Sequence, residues 1–446
     1  MNTLRMLQTR LSAGQVTREH IVEQALDGAR APRAAHTFTR LYAAAALQAA
    51  RHADAMARAG VSLPILAGLP VSIKDLYDVA GETTTAGAAL REGAPPALAD
   101  APAVARLRGA GAAIVGKTQM TEFAFSGIGI NPHQGTPANP ADPVTPRIPG
   151  GSSSGAAVSV ALGLCVAGLG SDTGGSLRIP AALCGLVGFK NTQSRVPLAG
   201  AFPLSHTLDT VGAIAGCVED ALVVDGVLAG APLAVEPRPL QGLRLALPQT
   251  LVLDGLDATV AAAHARALSQ LSAAGAHLVE VPLAELAEVS QINAPGGFSA
   301  VEAWALHQQD MRTRRERFDP RVAARIALGE AVSAADYIRM QQRRRDWIAR
   351  TTRALQGFDA FVCPTVPAVA APIADLQASD AAFFEMNGRM LRNTFPVNFL
   401  DGCAFSLPCH RPDELPVGLM LAAPGGHDAR LAAVALAVEA ALAPHR

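Results

Sequence analysis

"GSDTGGSLRIPAALCGLVGFK", residues 170–190, crowds serine and glycine into a loop and returns at once to apolar sequence. The run before it, "AAVSVALGLCVAGLGSD" (156–172), reads as a helix followed by a strand, and "LCGLVGFKNT" (183–192) reads as a further strand. The same alternation extends in both directions. Upstream, "LAGLPVSIKDLYDVAG" (66–81) holds a short strand from Pro70 to Ile73 with Lys74 at its end. "APAVARLRGAGAAIVGKT" (101–118) reads as helix, glycine turn and strand, ending near Lys117. Downstream, "GLRLALPQT" (242–250), "HLVEVPL" (277–283), "DAFVCPTVP" (359–367), "FSLPCH" (405–410) and "PVGLMLAAP" (416–424) read as strands. Residues 257–275, 299–355 and 428–442 read as helices. This order predicts an α/β fold with a central mixed or parallel sheet covered by helices.

The N-terminal part differs. Residues 3–60 read as helices, with Ile21, Val22 and Leu26 on one stripe and Thr17 as an N-cap. No repeat and no long low-complexity linker divides the chain. The proline-rich "APLAVEPRPL" (231–240) is the best internal boundary, and it reads as a join between two halves of one sheet. The expected layout is one domain: a helical segment 1–60, a core 65–220, and a C-terminal half 240–446 that completes the sheet and the substrate pocket.

Composition narrows the function classes. Of 446 residues, 50% are hydrophobic and 17% charged, enough for a large core. The net charge of −1 gives no basic field for nucleic acid. Cys165, Cys184, Cys217, Cys363, Cys403 and Cys409 include no C-x-x-C pair, so reduced thiols and a cytoplasmic location are expected. The N-terminus has no apolar core of a secretory signal. The uncharged run 155–171 falls short of the ~20 residues a membrane span needs. No His/Asp/Glu cluster has ligand spacing, so no metal is expected, and the sequence implies no cofactor.

Lysine usage is unusual. The chain has three lysines, Lys74, Lys117 and Lys190, and every other basic residue of its 37 is arginine. An ammonium can lose its proton, whereas a guanidinium in practice cannot. Lys74 is therefore a candidate base; Lys117 and Lys190 read as structural, bonding loop carbonyls. The eleven arginines of 312–350 read as the solvated face of amphipathic helices, and Trp304, Phe383 and Phe384 as core.

"PGGSSSGAAVS" (149–159) is a second glycine–serine loop. It fails as a phosphate loop because Ala156, not lysine, follows Gly155. It matches G-x-S-x-G around Ser153, with His206 and His410 as conceivable partners, but five prolines in 136–150 replace the strand that a nucleophile elbow needs. No histidine lies between Gln134 and Ser205. If Ser176 attacks a carbonyl, the N–H groups of Gly174, Gly175 and Ser176 can ring the oxyanion, each worth ~3 kcal/mol in a closed site. Lys74 can supply the base if burial keeps it neutral, and Ser152 can pass the proton.

At these positions the chain resembles the amidase signature family. "GLPVSIKD" (68–75), "GKTQMTEFA" (116–124), "PGGSSSGAA" (149–157), residues 170–190 and "FPVNFLDGCAFSLPC" (395–409) carry the resemblance, which covers about residues 5–440. It implies a single domain with a mixed sheet surrounded by helices. It implies Ser176 as acyl-forming nucleophile, Ser152 as bridging serine after a cis peptide from Gly151, and Lys74 as base. Thr173, Gly174, Gly175 and Ser176 would form the oxyanion loop, braced by Asp172 and Arg178, with Ser153 and Ser154 as scaffold. Ser154 and Ala156 stand where a glycine and a serine are common. The implied reaction is hydrolysis of a small-molecule amide to carboxylate and ammonia or amine, without membrane, with homodimerisation possible. Two alternatives remain: the glutamine-hydrolysing component of a tRNA-dependent amidotransferase, and an allophanate- or biuret-type hydrolase. The first would place an acid shortly before "PVN", where this chain has Leu391 and Arg392. A malonate-type acid is disfavoured because Ile179 occupies the place of a carboxylate-binding arginine.

Overall fold

In the computed structural model, which describes residues 3–442, eleven strands join into one sheet. In chain order they are β1 Phe38–Leu41, β2 Pro70–Lys74, β3 Ala113–Thr118, β4 Ala167–Ser171, β5 Val187–Lys190, β6 Val211–Ala215, β7 Arg244–Pro248, β8 His277–Val281, β9 Ala360–Pro364, β10 Cys403–Pro408 and β11 Gly418–Ala423. Across the sheet they run β1-β3-β2-β4-β6-β5-β10-β11-β9-β7-β8. Parallel pairs lie toward both ends, β3/β2/β4 and β9/β7/β8. Antiparallel pairs fill the stretch from β4 to β9. The sheet is mixed, and it continues across the proline-rich join without a break.

The strands from β2 through β11 to β9 are buried along their whole lengths. Burial on both faces explains why they read as short continuous apolar runs rather than alternating ones. Helix Ser154–Ala161 packs on β4, Arg178–Cys184 on β5 and β10, and Asp428–Leu442 on β10. The apolar run 155–171 is thus the body of a helix, a short turn over 162–166 and a strand. Among the described residues no helix is long and apolar enough to cross a membrane.

Three features depart from the sequence expectation. β1 lies inside the stretch read as helical; its four residues pair only with β3 at the sheet edge and are only partly buried, so they carry little pattern. β6, "VGAIA", is absent from the expected strands; a glycine and two alanines in five residues give it little strand propensity, and its two buried neighbours define it. The stretch 299–355 is three helices, Phe298–Thr313, Pro320–Ala327 and Ala334–Ala354. Asp319 caps the second with proline at its first turn, and Ser333 with Asp336 forms a capping box on the third. Its arginines are not all solvated: Arg344 is buried and donates to the Phe399 carbonyl at 2.9 Å. Phe383 is core, Trp304 is half-buried and Phe384 is exposed.

β2 and β4 are parallel neighbours, in register from Val71 opposite Ala167 to Ile73 opposite Leu169. Carried one residue further, this register sets Lys74 beside Gly170, so the strand ends that bear Lys74 and Ser171 lie at the same edge of the sheet. A Cβ at Gly170 would lie 2.8 Å from Ser153 Oγ, so this glycine lets the second serine loop settle directly on the strand.

Candidate active site

Lys74, at the C-terminal end of β2, is completely buried. Its Nζ lies 2.7 Å from Ser152 Oγ, 2.8 Å from Ser171 Oγ and 3.1 Å from Ser153 Oγ. Three hydroxyls and no carboxylate make up its hydrogen-bond set. Burial lowers its pKa to about 7, against the opposing pull of Asp209 and Asp172. The peptide between Gly151 and Ser152 is cis. Ser153 has Lys74 and Ser171 as its partners, and His206 is exposed, so nothing supports the elbow around Ser153.

Ser176 is buried in the turn that opens helix Arg178–Cys184. The two serine loops touch: a Cβ at Gly150 would sit 2.8 Å from Pro180 Cα. Among the hydrogen bonds of the described residues there is none between Ser152 Oγ and Ser176 Oγ. The hydrogen-bonded set therefore runs from Lys74 to Ser152 and stops there.

The loop before Ser176 also holds a correction. Gly175, expected among the oxyanion donors, gives its N–H to Asp172 Oδ1 at 2.8 Å. The N–H groups of Thr173, Gly174 and Ser176 have no acceptor among the described residues. Gly175 has φ +138°, and a side chain there would strike Thr394 Oγ1.

Asp172 organises this loop. Besides the Gly175 N–H, its carboxylate accepts Leu177 N–H at 3.1 Å, both arms of Arg178 at 2.9 and 3.0 Å, and Asn398 Nδ2 at 2.8 Å. Burial alone would raise its pKa; Arg178, Lys190 and Asn398 outweigh that and hold it at about 2. Arg178 also donates to Asn398 Oδ1 at 2.6 Å and to the Thr394 carbonyl at 3.0 Å. The brace thus reaches across to the C-terminal half. Asp172→Asn keeps the shape and leaves Arg178 buried without its counter-charge, so unfolding in urea should show a loss of about 3–5 kcal/mol. A variant as stable as the parent would contradict this account of the brace.

Lys117 pairs with Asp75 at 2.7 Å and donates to the Thr83 carbonyl at 3.1 Å. Lys190 donates to the carbonyls of Asn191 at 3.0 Å and Gly402 at 2.6 Å. Both hold loop carbonyls. Four residues that sequence reasoning did not place also belong to the site. Ser171 completes the hydroxyl set around Lys74. Asp209 accepts from Thr173 Oγ1 at 2.5 Å, and burial raises its pKa to about 6. Thr394 Oγ1 donates to the Gly174 carbonyl at 2.6 Å, and Asn398 joins Asp172 to Arg178. Only Ser171 carried a signal, as a serine at the end of the strand beside β2. A cleft of about 310 Å³ adjoins the loop, lined by Leu251, Leu286, Val289, Leu391, Arg392 and Phe395 among others. Leu391 and Phe395 close on Gly174, where a Cβ would be 3.2 Å from each.

Comparison with known proteins agrees with this architecture. A family described as Amidase matches residues 20–432. The 2-amino-5-chloromuconic acid deaminase of Comamonas testosteroni is 40% identical over 89% of this chain and 86% of its own. A glutamyl-tRNA(Gln) amidotransferase component from Chloroflexus aggregans is 34% identical over 94% of this chain and 92% of its own. A solved structure titled as an amidase superposes with a TM-score of 0.88 at 33% identity, covering 99% of this chain and 100% of that one. The chain belongs to the amidase family and is a hydrolase of C–N bonds.

Proposed function

We propose that Ser176 is the nucleophile of a small-molecule amidase, with Ser152 as its proton carrier and Lys74 as the base. The observation that carries this is Lys74 itself: a buried amine with a pKa of about 7, 2.7 Å from the bridging hydroxyl. A neutral amine has two N–H groups and one lone pair. Ser153 sends its own proton to the Ser171 carbonyl at 3.2 Å, so its oxygen accepts from Nζ. The second N–H serves Ser171, and the lone pair faces Ser152, the shortest contact of the three.

The steps follow. Ser176 Oγ adds to the amide carbon as its proton moves to Ser152 Oγ and the Ser152 proton moves to Nζ. The oxyanion is held by the N–H groups of Thr173, Gly174 and Ser176. The C–N bond then breaks, and the ammonium returns a proton through Ser152 to the leaving nitrogen. Water attacks the acyl ester by the same relay and releases the carboxylate. All three side chains come from one chain, so the reaction needs no second protein to complete them. The free thiols fit a reducing, cytoplasmic setting.

The glutamine reading is less well supported. A free amino group needs a counter-charge, and no acidic residue lines the cleft beside the loop. The relative from Comamonas, named for an acid, favours a small acidic substrate instead. Incubation with a fluorophosphonate followed by peptide mass mapping tests the assignment: the adduct is expected on the peptide carrying Ser176. Labelling of Ser153, or none at any serine, would overturn it.

A further inference from the structure

Thr173 is buried, and its N–H is one of those left without an acceptor beside Ser176 among the described residues. The peptide that carries this N–H is held from its other side. The Asp172 carbonyl accepts Thr210 N–H at 3.1 Å, Thr210 Oγ1 at 2.7 Å and Asn398 Nδ2 at 3.1 Å. The peptide is trans and planar, so fixing the carbonyl turns the Thr173 N–H the opposite way. The side chain of Thr173 is fixed separately, by Asp209.

The sheet brings Asp209 to this place. β4 and β6 are antiparallel, with Ser171 opposite Val211. One step beyond, Asp172 and Thr210 exchange both backbone hydrogen bonds, at 2.9 and 3.1 Å. The next step sets Thr173 opposite Asp209, and Thr173 Oγ1 donates to Asp209 Oδ1 at 2.5 Å. Asp209 Oδ2 accepts the N–H groups of Leu204 and Ser205, each at 3.0 Å. That turn is tied in its own right to the second half of the chain. Ser205 Oγ donates to Glu302 Oε2 at 2.6 Å, and the Tyr337 hydroxyl donates to Glu302 Oε1 at 2.5 Å.

The three donors to Asp209 are all uncharged. Asp172, the other buried carboxylate of the loop, has Arg178 as its counter-charge, whereas Asp209 forms no ion pair among the described residues. A buried carboxylate without a cation is costly to maintain. Capping two turn amides needs only an uncharged acceptor. What an ionised acceptor adds is a short, rigid hold on a hydroxyl, about twice as strong as a neutral hydrogen bond.

We propose that Asp209 is a positioning residue of the reaction: its carboxylate grips the Thr173 hydroxyl and so keeps the Thr173 N–H aimed at the oxyanion. This rests on the reading of Ser176 as the nucleophile. Asp209 touches no reacting atom and has no place in the proton relay.

The test follows labelling of the full chain by a fluorophosphonate. Ser176 Oγ displaces fluoride at phosphorus, and the phosphoryl oxygen takes the oxyanion position. D209N and T173V should each lower the maximal labelling rate by about 10²-fold, the scale of a lost oxyanion donor. The half-saturating reagent concentration should change by less than about threefold, because the donor acts on the developing charge and not on binding. The double variant should be no slower than the slower single variant, since both changes break one contact. T173S, which keeps the hydroxyl, should regain most of the rate. If circular dichroism shows that D209N is unfolded, T173V and T173S decide by the same criteria. Wild type labelled at Ser176 with both single variants equally fast, or losses that multiply in the double variant, would overturn the positioning role and leave the nucleophile in place. A wild type that is not labelled at Ser176 would overturn the catalytic reading, and the positioning role with it.

Discussion

Ser176→Ala should lower amide turnover by on the order of 10⁶-fold, the scale seen when an activated serine is removed outright. The residual rate would come from the loop amides and from binding, neither of which needs the hydroxyl. Stability should barely change, because Ser176 Oγ makes no hydrogen bond among the described residues and alanine keeps the turn. The checks are ammonia release under saturating substrate and a urea titration of the same preparation. Turnover within tenfold of the parent would show that another group attacks. A large stability loss would show that the hydroxyl is structural.

Lys74→Ala should cost about 10²–10⁴-fold in kcat, the usual range for a general base. Added small primary amines should restore part of the rate, which a merely structural loss would not allow. The wild-type pH profile follows from the direction of the pKa shift. The base works only when uncharged, so kcat/KM rises with pH and levels off above about 7. That rise falls in the range where histidine also titrates, so assignment to lysine depends on its disappearance in the variant.

The same shift has a stability consequence of opposite character. Lys74 is depressed from 10.5 to about 7 in the folded state. Between these values the unfolded chain binds a proton that the folded chain does not, so stability rises with pH across that window. Below about 7 both states are protonated and the full penalty, roughly 5 kcal/mol, is present. Lys74→Met removes the titration. Its unfolding free energy relative to wild type should therefore fall by roughly that amount from pH 7 to 10.5. Parallel pH profiles for the two proteins would show that the amine is not displaced from its ordinary range.

Much of this was legible in the sequence because the chemistry is local. Ser152, Ser153, Asp172 and Ser176 sit on two glycine-rich loops within 25 residues of one another. Lys74 stood out because the chain avoids lysine elsewhere. What could not be read depends on distant packing. Asn398 and Thr394 meet the loop before Ser176 from more than 200 residues away, and a lone asparagine in a short helix or a threonine in the turn before it carries no periodic signal. Asp209 is buried, but its sequence neighbours resemble an ordinary turn. The misassigned donor at Gly175 has a similar cause. Glycine freedom announces a nest of N–H groups without saying which one a neighbouring carboxylate will take.

Lys74, Lys117 and Lys190 are at most 2% exposed, so the folded chain presents no lysine ammonium to solvent. Amine-directed acylating reagents, common in cross-linking and surface immobilisation, would find no side-chain target until the sheet opens. Their uptake at these three positions would therefore serve as a clock for unfolding, read residue by residue.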